Sequence, residues 1–206
     1  MRKLLALLFF TITLGRAQGA YAGPFEDGEA AWSRGDYATA LSMWRPLAAQ
    51  DDAKAQYNLG LMYDNGQGVP KDYKEAARFY RLAAAQGNAD AQYNLGRMYY
   101  TGEGLPQDYK EAVRWYRLAA AQRDAQRDAG AQYMLGRMYA TGRGVPEDYV
   151  RAHMWFSLSA SSSSGVESKQ AIESRNTVAA KLTPPQLKQA QEMARKCQAS
   201  NFKDCD

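Results

Sequence analysis

"AQYNLGRMYYTGEGLPQDYKEAVRWYRLAAAQ", residues 91–122, has two near copies in the same chain. They are "AQYNLGLMYDNGQGVPKDYKEAARFYRLAAAQ" at 55–86 and "AQYMLGRMYATGRGVPEDYVRAHMWFSLSASS" at 131–162. The copies start at residues 55, 91 and 131, so the first period is 36 residues and the second is 40. Periods of this size are typical of stacked supersecondary units, each of which needs neighbours to bury its apolar face. The repetition therefore predicts an array of helical hairpins.

The first part of each copy has the apolar spacing of an amphipathic helix. In the middle copy, Ala91, Leu95 and Tyr99 lie four residues apart, which places them on one helix face. Gly102 follows at a position where a left-handed residue ends a helix, and Pro106 prevents the helix from continuing. The pattern predicts a helix that stops at the glycine turn.

The residues after the proline predict the start of a second helix. Asp108 can cap this helix, and Glu111 three residues later completes the pattern of a capping box. Asp72 and Glu75 repeat the pair, whereas the third copy keeps the cap, Asp148, without the glutamate. Each copy is thus predicted to form a helix, a turn and a second helix.

The glycine turn of the first copy has a second interpretation, because Gly66, Gly68 and Lys71 resemble parts of a phosphate-binding loop. Such a loop occurs once, follows a strand and ends in Gly-Lys-Ser/Thr. This turn occurs three times and follows a predicted helix, and Gln107 and Glu147 replace the lysine in the other copies. The turn is predicted to connect helices.

These motifs resemble the Sel1-like repeat, a relative of the tetratricopeptide repeat. The resemblance rests on the Leu-Gly-x-x-Tyr first helix, the Gly-x-Gly turn that ends in Asp-Tyr, and the aromatic and Ala-Ala second helix. It implies an all-α, right-handed solenoid of about four hairpins with one or two C-terminal capping helices. It also implies a protein-interaction scaffold with adaptor roles in envelope assembly, signalling or host contact.

The chain is predicted to divide into six segments. They are a signal peptide (1–22), a degenerate N-terminal hairpin (23–51), repeat 1 (52–87), repeat 2 (88–129), repeat 3 (130–163) and the C-terminal capping helices with the tail (164–206). Repeat 2 ends in "AQRDAQRDA" (121–129), a tandem duplication that adds four residues. Four residues are slightly more than one helical turn, so the insertion either lengthens the second helix or bulges at the junction.

The first 22 residues have the pattern of an export signal. Arg2 and Lys3 precede the apolar run 4–14, and Ala20-Tyr21-Ala22 fits a signal-peptidase site, so cleavage is expected after Ala22. The run is too short to cross a bilayer, which takes about 20 apolar residues. We therefore expect a periplasmic or secreted protein without stable membrane insertion.

Cleavage changes the charge balance of the chain. Removing Arg2, Lys3 and Arg16 from 26 basic residues leaves 23 against 22 acidic ones, a net charge of +1. No run of five like charges occurs. The mature composition does not indicate nucleic-acid binding.

The two cysteines lie close together near the C-terminus. Cys197 and Cys205 can close a small loop in an oxidising compartment, and the alternative is a pair of unpaired thiols on a frayed end. Two cysteines and one distant histidine do not make a four-ligand zinc site. We expect a disulfide and no metal or cofactor.

No catalytic constellation is visible in the sequence. The single histidine, His153, lies inside a predicted helix, and the serines at 161–164 read as a polar linker. No set of nucleophile, base and orienting residue is present. The sequence predicts a protein that is not an enzyme.

A binding surface is predicted on the first helices, which line the inner face in tetratricopeptide-like stacks. Positions spaced i, i+4 and i+7 share a face there, and Tyr and Arg often anchor interfaces. The alternative is that the tyrosines pack within the stack and the arginines only solvate it. Replacing both arginines by glutamate is expected to weaken partner capture without changing helicity. The residues are Tyr57, Leu61, Asp64, Tyr93, Arg97, Tyr100, Tyr133, Arg137 and Ala140.

Two other functions stay open at this point. Some exported relatives are described as weak β-lactam-binding or hydrolysing proteins, although they staple their hairpins with disulfides, and this chain has no cysteine before Cys197. A structural part of an envelope complex is the other alternative. β-Lactam turnover, a co-purified protein partner or sedimentation with the cell wall separates these functions.

Overall fold

The computed structural model of the chain describes residues 23–122, 125–200, 202 and 205, with the backbone alone for 125–128. The predicted leader and its cleavage site lie outside these residues. The described part contains ten α-helices and no strand. The helices are α1 (Pro24–Ser33), α2 (Tyr37–Ala49), α3 (Ala53–Asn65), α4 (Tyr73–Ala85), α5 (Ala89–Thr101), α6 (Tyr109–Ala120), α7 (Ala125–Thr141), α8 (Tyr149–Ser162), α9 (Gly165–Ala179) and α10 (Pro184–Ala199).

The helices form hairpins that stack in chain order. The pairs α1/α2, α3/α4, α5/α6 and α7/α8 are the hairpins, and each second helix also packs against the first helix of the next hairpin. After the fourth hairpin, α9 and α10 both pack against α8. The predicted all-α solenoid with C-terminal capping helices is confirmed.

The predicted turn chemistry is present with one difference. Gly66 and Gly102 end α3 and α5 in the left-handed conformation, with φ of 72° and 83°. The Asp72 carboxylate accepts hydrogen bonds from two backbone N–H groups at the start of α4. The predicted capping box does not form. The Glu75 carboxylate pairs with Arg78 at 3.0 Å, and the Asp72 N–H donates to the Tyr63 carbonyl.

A glycine in each first helix lets an aromatic ring approach the backbone. A Cβ placed on Gly60 would lie 2.6 Å from the Tyr80 ring, and one on Gly96 would lie 2.8 Å from the Tyr116 ring. Both rings are fully buried. The glycine of the Leu-Gly pair therefore sets how closely the two helices of a hairpin pack.

The four inserted residues lengthen the first helix of the last hairpin, α7. The helix α7 has 17 residues where α3 and α5 have 13, and α6 has 12. The extra turn lies at the start of α7, because α5 begins two residues before Ala91 and α7 begins six before Ala131. Of the two alternatives left open by the sequence, the second helix α6 is not lengthened. The duplication adds one turn to the first helix of the last hairpin.

The C-terminal segment closes the stack. The Thr183 backbone N–H donates to the Gln186 side chain at 2.9 Å and so caps the first turn of α10. Cys197 is fully buried against the core of the last hairpin and forms a disulfide with Cys205. Within the described ranges, no helix has the length and apolar character needed to cross a membrane.

Candidate partner-binding face

The three predicted tyrosines lie on one surface, which we call the first-helix face and define by α3, α5 and α7. Each ring packs against an aromatic ring of the second helix in its own hairpin. The centroids are 6.0 Å apart for Tyr57 and Tyr80, and the corresponding pairs Tyr93–Tyr116 and Tyr133–Phe156 are at 5.7 and 5.4 Å. All three tyrosines are half-buried. They support the hairpin and still present part of each ring to the surface.

Asp64 lies beneath the face, with 8% of its surface exposed. Its carboxylate accepts a hydrogen bond from the Tyr80 hydroxyl at 3.1 Å. Burial and, next, the charge of Asp64 raise the pKa of Tyr80, so the hydroxyl keeps its proton and donates it. Leu61 packs against the apolar cluster that α4 and α5 form between two hairpins. Asp64 and Leu61 thus hold the stack together, although the sequence placed them among the contact residues.

Arg97 is bound by two carboxylates. Its guanidinium donates to Asp64 at 2.5 Å, across the junction of two hairpins, and to Glu103 at 2.7 Å. Burial by itself lowers the pKa of Arg97, but the charge of Asp64, its hydrogen bond to Arg97 and the charge of Glu103 act together against burial, and the net shift is upward. Arg97 is therefore a fixed cation inside an ion triad.

Arg137 occupies the same place one repeat later and has different neighbours. Its guanidinium lies 5.9 Å from the centre of the Tyr100 ring and contacts the Met134 sulfur at 3.8 Å. Arg143 donates a hydrogen bond to the Tyr100 hydroxyl and lies 5.6 Å from the same ring centre. In the part of the chain that the structure describes, neither arginine has a carboxylate within ion-pair distance. We call Arg137, Arg143 and Tyr100 the arginine cluster.

Glu103 and Arg143 were not among the residues predicted for the face. Both stand between the two glycines of the turn, where the copies read Gln67, Glu103 and Arg143. That variation from neutral to acidic to basic was a usable signal. The prediction did not use this variation because it assigned the turn only to the connection between two helices.

A groove runs along the first-helix face beside the arginine cluster. Its volume is about 520 Å³, and Tyr93, Tyr133 and Met134 line it together with Glu167 of α9. The Tyr133 hydroxyl lies 3.4 Å from the Ser174 hydroxyl, which shows that α9 flanks the groove. Burial raises the pKa of Tyr93, so its hydroxyl stays neutral there. The groove combines aromatic and thioether surface with a few polar groups.

The single histidine is buried, and its ring nitrogen Nδ1 lies 3.5 Å from the Ser157 hydroxyl. His153 is buried in α8, and the nearby Ser157 hydroxyl donates to the His153 backbone carbonyl at 2.8 Å. Burial and, to a lesser degree, the charge of Arg175 lower the pKa of the imidazole. No group of three metal-ligating side chains occurs among the described residues. The surroundings of His153 are those of a packed core histidine.

The comparison with known families agrees with the geometry. The family model "Sel1 repeat" matches residues 53–88, 89–124 and 129–164, more than half of the chain, so the protein belongs to the Sel1 repeat family. The unmatched residues 125–128 are the extra turn of α7. This repeat fold is generally a scaffold for protein–protein interactions. None of the curated proteins matches the chain.

Solved structures with the same fold are longer than this chain. A Sel1 repeat protein from Oxalobacter formigenes is 34% identical, with a TM-score of 0.62 over 69% of this chain and 55% of that one. The protein c5321, a protective antigen of uropathogenic Escherichia coli with an SLR fold, is 28% identical, with a TM-score of 0.58 over 87% of this chain and 46% of that one. This chain spans about half the length of these relatives.

Proposed function

We propose that this protein is a non-catalytic scaffold of the bacterial cell envelope that holds a protein or peptide partner on the first-helix face. The observation that carries the proposal is the groove of about 520 Å³ beside the arginine cluster. Tyrosine, arginine and methionine are enriched at protein interfaces, and all three residue types line or border this groove. Stacked helical hairpins offer such surfaces to extended segments.

Two observations support a place in the envelope. The first 22 residues have the pattern of an export signal. The disulfide between Cys197 and Cys205 suits an oxidising compartment. A fusion of residues 1–22 to a reporter that is active only after disulfide formation should be active in bacteria. An inactive fusion would contradict export.

Site-directed photo-crosslinking tests the binding face. A photoreactive amino acid at Met134, in the groove, should form an adduct with a defined partner in living cells. The matched control is Leu118, an exposed apolar residue on the second helix α6. Adducts of the same proteins from both positions, or none from Met134, would contradict the proposed face.

The structure also changes which charge variant is informative. Arg97→Glu would place a third carboxylate beside Asp64 and Glu103, so lost capture would reflect a damaged stack. Arg137→Glu alone avoids this problem because Arg137 has no such partners in the described part of the chain. We expect Arg137→Glu to keep the circular dichroism spectrum and to reduce the Met134 adduct several-fold. An unchanged adduct would remove Arg137 from the face.

A further inference from the structure

The arginine cluster has the chemistry of an acid-binding site. We propose that Arg137 and Arg143, together with the Tyr100 hydroxyl, bind a side-chain carboxylate from an acidic segment of the partner protein. The inference rests on the proposed function and adds the chemical class of the ligand. Its carboxylate would occupy the space that the two guanidinium groups share beside the Tyr100 ring.

The preceding repeat shows how this fold satisfies an arginine at the same position. Arg97 and Arg137 are equivalent across the repeats, and Arg97 is held by Asp64 and Glu103. The residues equivalent to these two acids, one repeat later, are Tyr100 and Arg143. The junction between the second and third repeats therefore keeps the arginine, loses both carboxylates and gains a second guanidinium.

The polar groups around Tyr100 lack an anion. Both guanidiniums lie within 6 Å of the same ring centre, and their like charges repel each other. Tyr116 is the counterpart of Tyr80, and its buried hydroxyl has no hydrogen-bond partner in the described part of the chain. In the preceding repeat an internal carboxylate satisfies both the hydroxyl and the arginine. A bound carboxylate would offset the repulsion between the two arginines.

The surroundings favour an acidic peptide over a phosphate polymer. The cluster adjoins the groove through Met134, which contacts Arg137 and lines the groove, so an acidic residue can bind next to an apolar one. Polyanions require a row of cations along the surface, and the mature chain carries a net charge of only +1. In the preceding repeat, the carboxylates of Asp64 and Glu103 already bind the equivalent arginine, Arg97.

A peptide library gives a direct test. The probe is a randomised heptapeptide library with blocked termini, incubated with the immobilised mature protein, and the retained peptides are sequenced by mass spectrometry. We expect Asp and Glu next to an apolar residue to be enriched. A retained glutamate peptide should bind about tenfold more tightly than its glutamine counterpart, since a hydrogen bond to a charged group contributes that much.

Four variants separate the cluster from general charge. Arg137→Gln and Arg143→Gln should each remove the preference for glutamate over glutamine. Arg143→Glu restores the acid that the preceding repeat has at position 103, and it should abolish the preference with an unchanged melting temperature. Arg114→Gln is the matched control, because Arg114 is an exposed arginine on α6 with its own partner, Glu111, and it should bind as the wild type does.

Each outcome decides the proposal. Equal binding of glutamate and glutamine peptides, or a preference that survives Arg137→Gln and Arg143→Gln, would overturn it. Equal affinity for the glutamate peptide and a single-stranded oligonucleotide of the same charge would also overturn it, because general attraction to anions would explain both. If crosslinking at Met134 still yields a partner in that case, the proposed function stands without the acidic ligand. Loss of the Met134 adduct as well would reject both.

Discussion

At the residue scale, the same side chain has two different environments in successive repeats. Arg97 donates to two carboxylates and bridges two hairpins. Arg137 borders an aromatic ring, a thioether and a second arginine. The difference lies in the partner positions, because Asp64 and Glu103 give way to Tyr100 and Arg143. One of these arginines therefore stabilises the stack, and the other is available to a ligand.

The helix glycines permit a prediction at the same scale. Gly96→Ala places a methyl group 2.8 Å from the buried Tyr116 ring, so the ring or the helix must move. We expect the free energy of unfolding to fall by about 1–3 kcal/mol, as for overpacked cores. Urea denaturation followed by circular dichroism measures the change.

Gly130→Ala is the control for the helix propensity of alanine. The added methyl group would meet the half-buried Tyr93 ring at 3.3 Å, and that ring borders the open groove and can shift. Alanine favours the helix by about 0.5–1 kcal/mol over glycine, so this variant should be neutral or slightly stabilised. Equal losses in both variants would show that close approach to the buried ring is not the cause.

At the element scale, the extra turn of α7 interrupts a regular set of glutamine contacts. Gln56 and Gln92 lie in the first turn of α3 and α5. Their side-chain amides donate to the carbonyls of Ala48 and Ala84, both at 3.2 Å. The equivalent Gln132 is fully buried, and neither its side-chain nitrogen nor its oxygen has a hydrogen-bond partner among the residues that the structure describes. The segment between the end of α6 and Gln132 is longer than the corresponding segment before Gln56 or Gln92. The junction before the last hairpin therefore contains a buried glutamine amide without the hydrogen bond that the equivalent amides of Gln56 and Gln92 make.

Matched glutamine variants test this account. Gln132→Met removes an unsatisfied amide and should raise the free energy of unfolding by about 1 kcal/mol. Gln92→Met removes a bonded amide of the same size and should lower it by about 1 kcal/mol. Both values come from urea denaturation. Equal changes of the same sign in the two variants would contradict the interrupted pattern.

At the scale of the whole molecule, each hairpin is stabilised by its contacts with the neighbouring hairpins. Each helix packs on its neighbours in the stack, so the ends need caps that cover the last apolar face. At the C-terminal end, α10 supplies Ala194 and Cys197 to the core of the last hairpin. The disulfide to Cys205 ties the tail to this cap. Its loss should act on one end of the molecule.

Cys205→Ser tests this local action. Closing a loop of this size contributes about 2.5 kcal/mol in the chain-entropy model. Amide groups in α10 and α8 should lose that amount of protection against hydrogen exchange. The protection of the hairpins α1/α2 and α3/α4 should not change. Reduction of the wild-type protein serves as the control and should give the same pattern. A uniform loss across the chain would contradict nearest-neighbour stability.

The fold was predictable because its signals repeat along the chain. Three copies of the Leu-Gly helix, the glycine turn and the capping aspartate each indicate a hairpin, so errors in one copy do not change the conclusion. The face was only partly predictable. The i, i+4, i+7 spacing places Tyr93, Arg97 and Tyr100 on one side of α5, but spacing within a helix says nothing about the residue that reaches across from the next hairpin.

The sequence by itself determined the all-α class and the turns, because helix periodicity, left-handed glycines and capping aspartates are local properties of the chain. Only the tertiary structure decided that Asp64 is buried, that Arg97 is paired and that Arg137 shares Tyr100 with Arg143. It also placed the inserted turn at the start of α7. These features depend on contacts between hairpins, and the distance between two side chains in different hairpins is set by packing.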